Sequence, residues 1–151
     1  MGRVTTTVAI ALGANLGDRA AQLQFAVERL SAILRGVRVS VFIESEPVGV
    51  SEPQPPYLNG ALVGETSLSA RELLTALLAI EQQQGRVRLS HRAPRTLDLD
   101  LILYGDAIIV EPDLQVPHPR FRDRAFVLDP LKEIAPELVD PVTGKTIGEL
   151  P

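Results

Sequence analysis

Apolar positions in this chain recur with two different periods, and the switches between them mark out its elements. Residues 4–12 are apolar and β-branched, which predicts a first strand. Gly13-Ala14-Asn15-Leu16-Gly17-Asp18 interrupts that run as a turn, with Asp18 placed to cap a helix. Leu23, Val27, Leu30 and Leu34 then follow at helical spacing, and Gly36 offers a stop. Val37, Val39, Val41 and Ile43 alternate with Arg38, Ser40 and Phe42, the pattern of a second strand. Residues 46–56 hold four prolines and form a loop that is long for so small a chain. Residues 57–66 predict a third strand. Ser69-Ala70-Arg71-Glu72 is a capping box. It opens a helix carrying Leu73, Leu74, Leu77, Leu78 and Ile80 and closed by Gly85. Residues 97–104 predict a fourth long strand. Gly105-Asp106 turns the chain toward a short strand at 108–110, and the tail from 122 to 150 predicts a helix and a hairpin around 141–144.

The order is β-α-β-β-α-β with a C-terminal extension. It predicts an α+β, ferredoxin-like domain: an antiparallel sheet with helices on one face, followed by a helix and hairpin. The 151 residues fit a single domain spanning 1–151, with no internal repeat. The absence of cysteine excludes disulfides, thiolate chemistry and cysteine-bound zinc, and suits a reducing, cytoplasmic setting. No apolar run reaches membrane-spanning length, so no membrane association is expected.

Charge changes the picture more than composition does. The net charge of −4 argues against general nucleic-acid affinity, yet seven of the thirteen arginines fall between Arg86 and Arg124. A local cationic site on an acidic protein suits a small anionic ligand.

The chemistry concentrates in four places. Asp98 and Asp100 lie one residue apart in an apolar strand, so their side chains share a face, with Cα atoms about 6.5 Å apart. Such a pair either bridges to arginines or water at a strand edge or holds a hard cation such as Mg²⁺. Upstream, residues 86–95 carry Arg86, Arg88, His91, Arg92 and Arg95, cations that repel one another unless an anion joins them. Guanidinium forks match phosphate oxygens, and a loop that closes on phosphates would exclude water. Third, His118 sits between two prolines with Arg122 and Arg124 nearby, which makes all three candidates for phosphate contact. Fourth, Asn59 shares a strand face with Tyr57 and could read the edge of a planar heterocycle, with Phe126 to stack on it. Taken alone, these last residues and the Pro47-Val48-Gly49 loop fit ordinary core and turn positions as well. Neither Gly-x-x-x-x-Gly-Lys-Ser/Thr nor Gly-x-Gly-x-x-Gly occurs, so any nucleotide is bound without a standard glycine cradle.

These stretches together resemble the 6-hydroxymethyl-7,8-dihydropterin pyrophosphokinases of folate biosynthesis. The matching runs are 11–18, Tyr57-Leu58-Asn59, 81–88, 94–100, Val116-Pro117-His118 and Arg124-Ala125-Phe126. The resemblance implies transfer of pyrophosphate from ATP, the co-substrate, to the hydroxymethyl group of the pterin, giving AMP. It implies two Mg²⁺ ions on Asp98 and Asp100, and catalytic roles for these and for Arg86 and Arg95. It implies nucleotide contacts from Glu81, Arg86, Arg88, Arg95, Leu101, His118 and Arg124. The pterin would meet Pro47, Val48, Tyr57, Asn59, Asp98 and Phe126. Both substrates are small molecules, and no obligate protein partner is evident. One departure is visible: Arg92-Ala93-Pro94-Arg95 lacks the tryptophan, and one residue, that family members often carry there.

Two other classes compete. One is a non-enzymatic ligand-sensing or nucleic-acid-binding module on the same fold; an RNA-binding sheet would need exposed aromatics for stacking, and only 4% of this chain is aromatic. A metal-dependent phosphoesterase would also use paired carboxylates but would need no pterin.

Overall fold

The computed structural model describes residues 4–15, 17–45, 56–85 and 97–151. The chain runs β1 (Thr6–Ala14), α1 (Arg19–Ser31), β2 (Arg35–Val39), β3 (Ile43–Ser45), β4 (Tyr57–Thr66), α2 (Ala70–Gly85) and β5 (Leu97–Tyr104). A hairpin of β6 (Ile109–Glu111) and β7 (Leu114–Val116) follows, then α3 (Ala125–Ile134), with single 3-10 turns at Phe121–Asp123 and Ile147–Glu149. The main sheet has the order β2-β4-β1-β5, with β3 also pairing β4 and every neighbour antiparallel. This is the split βαβ arrangement that the sequence predicts.

The caps form where the sequence places them. Asp18 accepts the Ala21 amide at 3.0 Å. Ser69 and Glu72 close a reciprocal box, the Ser69 amide donating to Glu72 at 2.8 Å and the Glu72 amide to the Ser69 hydroxyl at 3.0 Å. Gly36 is not the stop of α1, which ends at Ser31. Leu34 still enters the core, its amide bonded to the Leu30 carbonyl, and Gly36 adopts φ +60° inside β2. The single alternating strand expected over 37–43 is two short ones. Ser40 breaks it: its hydroxyl accepts the Ala61 amide at 2.9 Å and donates to the Val41 carbonyl, replacing a ladder bond with a side chain.

Period-2 alternation sends large residues of β1 to one face and small ones to the other. Val8, Ile10 and Leu12 pack with Leu62, Leu99, Leu101 and the buried leucines of α1 and α2. Ala9 and Ala11 face a second core made of Ala61, Val63, Ile102, Phe121, Ile147 and the α3 residues Val127, Leu128 and Leu131. Helices on one face only were expected. The C-terminal extension instead covers the opposite face, giving three layers.

Candidate active site

The site grows out of one row of the sheet. Gly13 of β1 stands opposite Asn59 of β4 on one side and Asp98 of β5 on the other. In the next row of the same face, Ala11 stands between Ala61 and Asp100. Directly opposed residues in an antiparallel ladder share a face, so both carboxylates and the Asn59 amide flank a strip with almost no side chains. That strip is the floor of a cavity of about 690 Å³. Asp98, Asp100, Asn59, Tyr57 and Ser45 line its sides, and Arg120, Asp123, Arg124, Phe126 and Val127 close over it from the C-terminal segment.

Asn59 is held from behind. It is only 4% exposed, and its Nδ2 donates to the Ser45 hydroxyl at 2.7 Å and to the Ile43 carbonyl at 3.3 Å. With the donor side engaged, Oδ1 is turned to the floor, 3.6 Å from where a Cβ on Gly13 would lie. Arg19 steadies the start of the same strand, donating to the Pro56 carbonyl at 2.7 Å and pairing with Glu44 at 3.0 Å.

The carboxylates are positioned from the opposite edge. Among the described residues β5 pairs with β1 alone in the main sheet, so its outer amides need other partners. The Leu99 amide donates to the buried Glu81 carboxylate at 2.7 Å, between Asp98 and Asp100. Glu81 thus ties the end of α2 to the strand that carries the acid pair. Asp98 and Asp100 are both half-buried on the cavity wall.

His118 is fixed twice: its amide donates to the Ile102 carbonyl at 3.0 Å and its Nδ1 accepts the Arg120 amide at 3.2 Å. The second bond leaves Nε2 to carry the ring proton of the neutral form. Burial pushes its pKa below the ordinary histidine value; Asp100 opposes this, and Arg124 and Arg120 reinforce it. His118 is therefore near Asp100 and these arginines without lining the cavity itself. Arg124 lies over the Phe126 ring, 5.7 Å from its centroid.

Several positions singled out by sequence fall elsewhere. Leu101 is buried in the helix-side core, on the face opposite Asp98 and Asp100. The guanidinium of Arg122 is taken up by Asp140 rather than offered to the cavity. Pro47, Val48, Arg86, Arg88 and Arg95 lie outside the described residues, as do His91 and Arg92. Ser45, Arg120, Asp123 and Val127 line the cavity and were not singled out. The signal for Arg120 and Asp123 was their place in the same short cationic segment as His118 and Arg124. Ser45 and Val127 left no signal of their own.

The acid pair fits Mg²⁺. That ion is usually held by one or two carboxylates with water and substrate phosphates completing its octahedron, rather than by a cage of protein ligands. Among the described residues no group of three or more His, Cys, Asp or Glu is placed to hold a metal, and the two aspartates stand together on the cavity wall. Among the described residues, too, no helix is long and apolar enough to cross a membrane.

The chain is similar to known proteins along most of its length. Residues 9–136 match the family described as 7,8-dihydro-6-hydroxymethylpterin-pyrophosphokinase. A protein of Synechocystis named 2-amino-4-hydroxy-6-hydroxymethyldihydropteridine pyrophosphokinase is 49% identical over 144 residues, covering 93% of this chain and 72% of the relative. A Pseudomonas aeruginosa protein of the same name is 43% identical over 145 residues, covering 95% and 88%. The crystal structure of Plasmodium falciparum HPPK-DHPS shares the fold, with a TM-score of 0.77 at 14% identity; the match covers 99% of this chain and 44% of that longer one.

Proposed function

The chain belongs to the 7,8-dihydro-6-hydroxymethylpterin-pyrophosphokinase family, and from that premise we propose how its cavity performs pyrophosphoryl transfer. The enzyme moves pyrophosphate from ATP to the hydroxymethyl group of 6-hydroxymethyl-7,8-dihydropterin in folate synthesis. The hydroxyl oxygen forms a bond to the β-phosphorus, the bond from that phosphorus to the oxygen bridging the α-phosphate breaks, and AMP leaves while the hydroxyl proton is lost.

The observation that carries the assignment of roles is the Asn59–Gly13–Asp98 row. A planar pterin lies over the bare strip at Gly13 with Asn59 Oδ1 accepting from its amino edge. Tyr57 and Phe126 flank the ring, and the hydroxymethyl end points to Asp98. Asp98 and Asp100 would hold Mg²⁺, which would supply charge neutralisation at the phosphates. Arg120 and Arg124 add cations above the floor, and His118 offers Nε2–H to a phosphate oxygen. The Pro47-Val48 backbone and the arginines Arg86, Arg88 and Arg95 are proposed to complete the pterin and phosphate sites on the resemblance alone. Reaction then depends on holding the alcohol in line with the β-phosphorus and on neutralising charge, more than on a strong base.

The test is a product assay with Mg²⁺, ATP and the pterin, resolving AMP from ADP, with a control lacking pterin. Pterin-dependent AMP is the expected product, and Asp98→Asn and Asp100→Asn each abolish it. ADP, or hydrolysis indifferent to pterin, would overturn the reading. Near-normal turnover by both variants would overturn the metal assignment alone.

A further inference from the structure

The segment that closes over the cavity is anchored on its far side by an ion pair whose carboxylate is buried. Between His118 and Arg124 the chain makes the 3-10 turn Phe121–Asp123. Phe121 is fully buried in the second core, whereas Arg120, Asp123 and Arg124 line the cavity. Arg122 projects to neither. Its Nε donates to Asp140 Oδ2 at 2.5 Å and its Nη2 to Oδ1 at 2.8 Å, a two-pronged fork, while its guanidinium lies over the Phe121 ring at 4.7 Å.

Asp140 is itself completely buried and saturated. Besides the fork it accepts the Val142 amide at 3.0 Å and the Thr143 hydroxyl at 2.9 Å. Its backbone closes the hairpin around it, with its amide on the Lys145 carbonyl and its carbonyl taking the Gly144 amide, both at 2.8 Å. One side of the fork is thus a rigid turn packed on the core, and the other is the turn that carries the cavity arginines.

For stability alone this is an uneconomical choice. Asp140 is fully buried while the Arg122 side chain stays about 25% exposed, and an ion pair that takes a carboxylate out of water gains little over well-packed apolar side chains. What a bidentate fork adds is orientation, since a planar guanidinium meets a carboxylate in few geometries. Besides the fork, the segment is held by buried Phe121, by the His118 amide on the Ile102 carbonyl and by the Arg124 carbonyl, which accepts the Val127 and Leu128 amides of α3; the fork adds a side-chain tether from its middle to the 139–146 hairpin.

Resting on the functional reading above, we infer that Arg122 and Asp140 are positioning residues of the phosphate site. Through them the C-terminal hairpin 139–146 sets where Arg120 and Arg124 meet the polyphosphate. The fork touches no substrate, and Phe126 lies within α3 beyond the turn, so its loss weakens the nucleotide more than the pterin.

The test compares Arg122→Lys and Asp140→Asn with Ile147→Val. Lysine keeps the charge against Asp140 but offers no planar fork, and Ile147→Val loosens the same tail without touching it. KM is measured for ATP and for the pterin, together with direct binding of a non-hydrolysable ATP analogue and Mg²⁺, below each variant's unfolding transition. Both fork variants should raise the ATP KM and the analogue Kd by about tenfold, the scale of coupling between neighbouring groups. Their pterin KM should stay within about twofold, and Ile147→Val should lower Tm with the analogue Kd unchanged. Unchanged analogue affinity in Arg122→Lys and Asp140→Asn overturns the inference. So does a parallel loss for both substrates that tracks Tm across all three variants, the sign of a merely structural pair. An unaltered chain that binds no nucleotide overturns the functional reading, and the inference with it.

Discussion

Glu81→Ala tests whether the acid pair is held from behind. The Glu81 carboxylate is 8% exposed and accepts the Leu99 amide at 2.7 Å, on the outer edge of β5. A charge-assisted bond to a buried donor contributes about 1.5–3 kcal/mol, and its removal leaves the Leu99 N–H to find water at a strand edge. We expect a loss of about 2 kcal/mol, which for a protein of this size is about 4–8 °C in Tm. Glu81→Gln keeps an oxygen acceptor and gives up only the charge, so about half that loss is expected. Thermal unfolding followed by circular dichroism reads both.

The same variant should also slow the reaction. Leu99 lies between Asp98 and Asp100, so freeing its amide loosens both carboxylates at once. Misplacement of a catalytic group by about 1 Å costs up to about 10²-fold, and we expect kcat to fall by at least tenfold with the pterin KM little changed. A Tm within about 1 °C of the unaltered chain together with unchanged kcat would refute the reasoning. A fall in Tm without any fall in kcat would confine Glu81 to stability.

Two further predictions follow from single positions. Gly13→Ala places a methyl 3.6 Å from Asn59 Oδ1 and 3.9 Å from the Tyr57 ring, ordinary contact distances, so the fold tolerates it while the floor of the cavity rises. The pterin KM should increase about tenfold or more with Tm nearly constant, and an unchanged KM would show that the ring does not lie there. Burial raises the Asp140 pKa, but the Arg122 fork, the Val142 amide and the Thr143 hydroxyl outweigh it and hold the group at about 2. Because the folded value is depressed, the stabilisation is complete above the unfolded value near 4 and is lost as pH falls toward 2; it amounts to about 2 kcal/mol. In denaturant titrations the stability gap between the unaltered chain and Asp140→Asn should therefore shrink by about 1 kcal/mol from pH 7 to pH 3, and a constant gap would contradict the assignment.

What was legible in the sequence was whatever is decided locally. The Asp18 cap, the Ser69–Glu72 box and the strand Tyr57–Thr66 form as read, because each depends on residues within a few positions. Asp98 and Asp100 share the cavity face because period 2 admits no other outcome in a regular strand. The misses are long-range. Ser40 breaks its strand only because the Ala61 amide lies 21 positions away, ready for its hydroxyl. Arg122 was a candidate for phosphate until Asp140, 18 positions on, claimed its guanidinium. The second helical layer was missed because nothing in the tail's pattern says which face of the sheet it covers.

The position of the site follows from the same alternation that builds the core. On the helix side, Val8, Ile10 and Leu12 fill the space under α1 and α2. On the other side, Ala9 and Ala11 are too small to do so, and α3 descends to meet them with Val127, Leu128 and Leu131. That covering layer ends at the first turn of α3, where Phe126 and Arg124 stand. Beyond its end the strip at Gly13 has no side chain to fill the gap, and the neighbouring strands supply Asn59 and Asp98 in place of apolar residues. The depth of the cavity is set by how far α3 and the 118–124 segment extend over the sheet, so residues that fix that extension act on substrate binding without touching substrate.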